Sequence, residues 1–157
     1  MRFLFLLLVA ACASSNASRA PGAGSIAIKS VANASAPPVT YSVGSGLVSG
    51  SDLDLRLDQG CIRGTMRRAP IQLCSDPANP NHWAGASGDF TAVASPDGKS
   101  VKVDGYLLLD SLRELDITQI IPVENGPGWD EMRKQPALLA LATTAADFAA
   151  LRGRHRP

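Results

Sequence analysis

Aromatic side chains are scarce in this chain: two Trp, two Tyr and four Phe make up 5% of its 157 residues. A stacking platform for bases or sugars is therefore not advertised. Neither sign of charge dominates, with fifteen Lys and Arg against fourteen Asp and Glu, so the broad basic face that nucleic acid requires is missing. His82 and His155 are the only histidines, too few for a zinc centre once cysteines are paired. No apolar run approaches the roughly 20 residues of a membrane-spanning helix. No Gly-x-Ser-x-Gly elbow supports a serine nucleophile. "GSGLVSG" and "GASG" lack the Gly-Lys-Ser/Thr ending of a phosphate loop. No catalytic set, metal or other cofactor is expected.

The first residues carry the clearest signal that is present. "FLFLLLV" (residues 3–9) is wholly apolar, follows Met1-Arg2 and leads into Ala10-Ala11-Cys12. A positive start, a short apolar core and small residues at its end form a secretory signal peptide, expected over residues 1–11. Val9-Ala10-Ala11-Cys12 resembles the lipobox of bacterial lipoproteins. The resemblance covers residues 1–12 and implies cleavage before Cys12, whose thiol then receives lipid. Two or three acyl chains on one residue hold a protein to a membrane almost permanently, because each buried methylene contributes about 0.8 kcal/mol. Ala13 follows, not the aspartate associated with inner-membrane retention, so in a Gram-negative cell the resemblance implies the outer membrane. A plain signal peptide would instead leave a secreted or periplasmic soluble protein.

Two further cysteines remain, Cys61 and Cys74. An exported chain meets an oxidising compartment, where two such thiols are expected to form a bridge. Their spacing is too wide for the Cys-x-x-Cys of a redox enzyme.

Residues 12–38 are rich in Ala, Ser, Gly, Asn and Pro and read as a lipidated cysteine followed by a flexible tether. "SIAIKSV" within it alternates Ile26 and Ile28 with polar or small neighbours and reads as a first, weak strand pairing with the domain. From Val39 onward the pattern has period two, and 39–157 reads as one β-rich domain. In "SDLDLRLDQG" Leu53, Leu55 and Leu57 fall on one face, with Asp52, Asp54, Arg56 and Asp58 on the other. That acidic row is expected to be a solvated outer face rather than a calcium site, which needs six or more oxygens. "SPDGKS" between two alternating runs predicts a hairpin within 89–110. Glycines recur beside strand-like runs, in "GLVSG", "GCIRG", "WAGASG" and "KVDGY", and mark bulges or sharp bends. "RELDITQIIPV" reads as one more strand, and "NGPGWDEM" as a turn. Residues 136–152 read as a helix, with Leu138, Leu141, Ala142, Ala145, Phe148 and Ala149 in one apolar stripe and Thr143, Thr144 and Asp147 on its polar face. Arg152, Arg154 and Arg156 stand at its C-terminal end, the negative end of the helix dipole.

The expected fold class is mainly β: an antiparallel meander, as a small barrel or sandwich, with one C-terminal α-helix. "CSDPANPNHW" is the most distinctive loop, and Asp76, Asn79, His82 and Trp83 are its candidate ligand-binding residues. Trp83 has core packing as its alternative. The functional expectation is a lipid-anchored cell-envelope protein with a non-catalytic binding or structural role. Its partners would be the membrane, through lipid on Cys12, and an envelope protein, a polymer or a small apolar ligand. Alternatives are an exported hydrolase or inhibitor-like domain using the 74–83 loop, and a lipocalin-like binder whose site would lie in a barrel interior.

Overall fold

The computed structural model describes residues 24–109 and 113–152. The expected signal peptide, Cys12, Arg154, His155 and Arg156 lie outside the described residues.

Eleven strands run in chain order: β1 (Gly24–Ile28), β2 (Val39–Gly44), β3 (Leu47–Gly50), β4 (Leu53–Asp58), β5 (Cys61–Met66), β6 (Ala69–Asp76), β7 (Asn79–Gly85), β8 (Gly88–Ala94), β9 (Ser100–Leu108), β10 (Glu114–Asp116) and β11 (Gln119–Pro122). Two helices follow, α1 (Pro127–Arg133) and α2 (Pro136–Arg152). The strands form one antiparallel meander, each from β1 to β10 pairing with the next. β10 and β11 lie one after the other along the same strand, β10 on 106–108 of β9 and β11 on 100–103. The expected mainly-β meander with a C-terminal helix is the observed fold. The sheet is a single open one, neither closed into a barrel nor paired with a second sheet as a sandwich.

What replaces the second layer is α2. The helix touches β1 to β4 and also β8 and β9, so the sheet curls around it. Ala137 to Ala146 are all buried, as is Ala150. A helix apolar on every side can only be stable inside. The single stripe expected from the sequence is thus widened to the whole circumference. Thr143 and Thr144, expected on a polar face, are buried too. Their hydroxyls donate to the carbonyls of Leu139 and Ala140, each at 2.9 Å, which satisfies them inside the helix.

The sheet half of the core comes from the predicted alternation. Leu53 and Leu55 face inward with Ile62, Met66, Ile71 and Leu73 from the next two strands, all buried, while Asp54 and Arg56 are exposed. Six successive hairpins, β2–β3 to β7–β8, turn through only two residues. Tight reversal of this kind coils a sheet strongly. Glycine supplies further bending. Gly64 and Gly105 sit mid-strand at φ 144° and 137°, and a Cβ at either would collide with the neighbouring strand's backbone, at Asp54 and Asp89 respectively. These are the bends that the recurring glycines marked in the sequence.

The weak first strand read in "SIAIKSV" is β1, which pairs with β2 along its full length and buries Ile26 and Ile28. Two elements differ from the sequence expectation. "NGPGWDEM" is mostly helix α1, which buries Trp129 and Met132 against β1, β2 and α2. "RELDITQIIPV" makes two strands, because the Asp116 carboxylate accepts the Thr118 N–H at 2.8 Å and turns the chain between β10 and β11. The same bond holds the Asp116 carboxyl below its usual pKa.

An antiparallel meander sends alternate turns to opposite ends. The turn at Gly46 meets the start of α2, where its N–H donates to Gln135 Oε1 at 3.0 Å. The β3–β4 and β5–β6 turns meet the other end of α2, through Asp52 to Arg152 and Arg67 to Phe148.

Candidate functional site

The distinctive 74–83 segment is a tight hairpin, not an extended loop. β6 and β7 are joined by Pro77 and Ala78 alone, and the Asp76 carboxylate accepts the Ala78 N–H at 2.8 Å. Asn79 shapes the next step, its Oδ1 accepting the Asn81 N–H at 3.3 Å. Both residues therefore serve the turn. Cys74 stands opposite Cys61, their Cα atoms 4.0 Å apart and their sulfurs bonded. The adjacent pair is the hydrogen-bonded one, with Ser75 N–H donating to Gly60 O at 2.8 Å. The cysteines thus occupy the close, non-hydrogen-bonded position of the ladder.

Trp83 points inward and is 8% exposed. Of the two readings the sequence allows, core packing is the observed one, with one edge of the ring at a small surface cleft near Pro80 and Pro136. His82, its neighbour, points to the outer face. His82 Nε2 lies 2.8 Å from Asp89 Oδ1 on β8, and Nδ1 lies 3.8 Å from Asp76 Oδ2 on β6. The imidazole bridges three strands. Its hydrogen bond to Asp89 is the main cause that raises its pKa, with the charges of Asp89 and Asp76 adding to it. Asp76 and Asp89 both remain substantially exposed, and among the described residues no group of His, Cys, Asp and Glu has metal-binding geometry. The structure brings Asp76 and His82 together, places Asn79 in the turn, and separates Trp83 to the opposite face.

A larger feature was not singled out in the sequence. At the C-terminal end of α2 a cleft of about 630 Å³ opens between the β1–β2 loop, the β3–β4 turn and the helix. Ala36, Pro37, Pro38 and Val39 form one wall, and Ala149 and Ala150 another. The loop is fixed to the helix by Asp147: one carboxylate oxygen accepts the Ser30 hydroxyl at 2.7 Å and the Ala32 N–H at 3.1 Å. Ser30 Oγ in turn accepts the Asn33 N–H at 2.9 Å. The sequence signal was present in Pro37-Pro38, but a Ser/Pro-rich stretch before the first strong strand reads as tether.

The β3–β4 turn that supplies Ser51 to this cleft also meets Arg152 and Arg67. Arg152 Nη1 is 3.9 Å from Asp52 Oδ2. The Arg67 N–H donates to the Asp52 carbonyl at 2.7 Å, and its guanidinium lies over the Phe148 ring, 4.2 Å from the centroid. Arg67 and Arg68 form the β5–β6 turn with φ of 53° and 70°. Positive φ at two residues with a Cβ costs about 1–2 kcal/mol each, where Asn-Gly is the usual choice. Asp54, Arg56 and Asp58 of the acidic row are exposed, as expected.

Compared with family models, curated proteins and solved structures, the chain matches none.

Proposed function

We propose that this protein is exported, cut before Cys12 and held by lipid on that cysteine to the outer membrane of a bacterial envelope. There its folded domain acts as a non-catalytic binding module. The observation that carries the reading is the Cys61–Cys74 bridge, since disulfides form and persist in oxidising compartments and are rare in a reducing cytosol. It agrees with the lipobox-like Val9-Ala10-Ala11-Cys12.

Binding is favoured over catalysis by how the chemistry-bearing side chains are used. Both ring nitrogens of His82 face carboxylates, and Asp76 also closes the hairpin. These contacts hold strands together. Against a lipocalin-like site inside the sheet stands the apolar core there, built by α2 and the residues around Leu55. The end cleft offers space of the size that small-molecule sites use, roughly 300–1,000 Å³.

Detergent phase partition of cells expressing the full chain tests the anchor. The native chain is expected in the detergent phase and the Cys12→Ala chain in the aqueous phase. A native chain found in the aqueous phase overturns the reading.

A further inference from the structure

We propose that the cleft at the C-terminal end of α2 binds an amphiphile with a single acyl chain and an anionic head. This rests on the binding reading of the domain and names its ligand class, and it does not depend on the anchor.

The cleft walls carry no charge. Ala36, Pro37, Pro38, Val39, Ala149 and Ala150 present small apolar groups, and the remaining lining residues are uncharged. Among the described residues no aromatic ring lines the space, so they offer a sugar no stacking surface there. The volume of about 630 Å³ falls in the small-ligand range. The wall is also pre-formed. Two consecutive prolines fix their own φ, and the Ser30, Ala32 and Asn33 bonds tie the loop to α2 through Asp147. A ligand therefore meets a slot that needs little ordering.

Charge at the rim selects the head group. Asp52 follows Ser51 of the lining; its carboxylate lies 3.9 Å from Arg152, and its backbone carbonyl accepts the Arg67 N–H. Arg152 is exposed and uses one of five guanidinium donors on that long contact. Asp147, the other nearby acid, is already engaged by Ser30 and Ala32. The end of α2 is the negative pole of its dipole, so Arg152, not the helix, holds an anion. An uncharged, largely apolar slot with Arg152 at its rim fits an acyl chain ending in carboxylate or phosphate.

The test uses the chain from residue 12 onward carrying Cys12→Ala, with its disulfide formed, titrated against a fluorescent fatty acid. Palmitate, a lysophosphatidylglycerol and a neutral monoacylglycerol compete for it below their micelle concentrations. One ligand per chain is expected, with the neutral probe weaker by about tenfold or more. Palmitate competing alone identifies free fatty acids as the source, and the lysophospholipid identifies a membrane lipid. Ala149→Phe fills the slot and is expected to weaken all probes by about tenfold or more. Thr40→Phe fills it from the opposite wall if the first variant does not fold. Arg152→Glu is expected to weaken the anionic probes and leave the neutral one unchanged. No binding by the parent chain, full binding by a folded filled-cleft variant, or indifference to head charge each overturns the proposal. Because the protein is tested without its anchor, failure here leaves the phase-partition result standing, and the reverse holds.

Discussion

Ser30 donates its hydroxyl to Asp147 at 2.7 Å, joining the β1–β2 loop to α2 across 117 positions of sequence. The Ala32 N–H shares the same carboxylate oxygen. Asp147→Ala strands both donors and is expected to lower the unfolding free energy by about 1–3 kcal/mol. Asp147→Asn keeps an accepting oxygen and should lose less. Urea denaturation of both variants measures the difference, and equal losses would contradict a hydrogen-bonding role.

The disulfide closes a short loop, with Cys61 and Cys74 separated by 13 positions. Loop entropy assigns such a bridge roughly 3 kcal/mol, less any strain. Urea unfolding with and without reductant should show a loss of that order. The Cys61→Ala, Cys74→Ala double variant should match the reduced protein and be insensitive to reductant.

Gly105 is where the sheet must bend. At φ 137° a Cβ meets the Asp89 carbonyl and Phe90 of the adjacent strand. Gly105→Ala is expected to cost about 2–3 kcal/mol or more, the strain of a glycine-only conformation plus a backbone shift. A thermal midpoint unchanged by this substitution would show that the bend does not depend on glycine.

The interior should respond to volume in both directions. Leu141 and Ala142 are fully buried on α2. Leu141→Ala leaves a cavity and should destabilise by about 2–5 kcal/mol. Ala142→Leu overfills the core and should cost about 1–3 kcal/mol. A helix lying on the outside of the sheet would tolerate the second change, so the pair separates a wrapped helix from a surface one.

The His82 bridge makes stability depend on pH. Its pKa is raised above the ordinary 6.5, chiefly by the hydrogen bond to Asp89. Stabilisation is therefore complete below that ordinary value and is lost as pH rises through the raised one. The thermal midpoint should fall as pH rises above that ordinary 6.5 and through the raised value, and His82→Gln should reduce that fall. An unchanged pH dependence in the variant would remove His82 as its cause.

Strand pairing was largely legible because alternation records which face is buried. Leu53, Leu55, Ile71 and Leu73 fell inward as their spacing requires. The turn at Pro96-Asp97-Gly98 joined β8 to β9, with the Asp97 carboxylate accepting the Ser95 hydroxyl at 2.6 Å. Pattern fails where tertiary contact decides. α1 is seven residues long, too short to show a period, and its burial depends on β1 and β2. The burial of α2 from Ala137 to Ala146 had a sequence sign, since no charged residue occurs from Pro136 to Ala146. Alanine fills its second face, and small residues leave a weak periodic trace. The end cleft was not legible because it joins residues 33–40 to 149–150, and only folding brings them together.

Intact-mass spectrometry of the protein purified from its own membranes tests the central claim most directly. The account predicts a chain beginning at Cys12, carrying added acyl mass, and lighter by two hydrogens for the Cys61–Cys74 bridge. A chain cut elsewhere without acyl mass, or one with both thiols free, would contradict it.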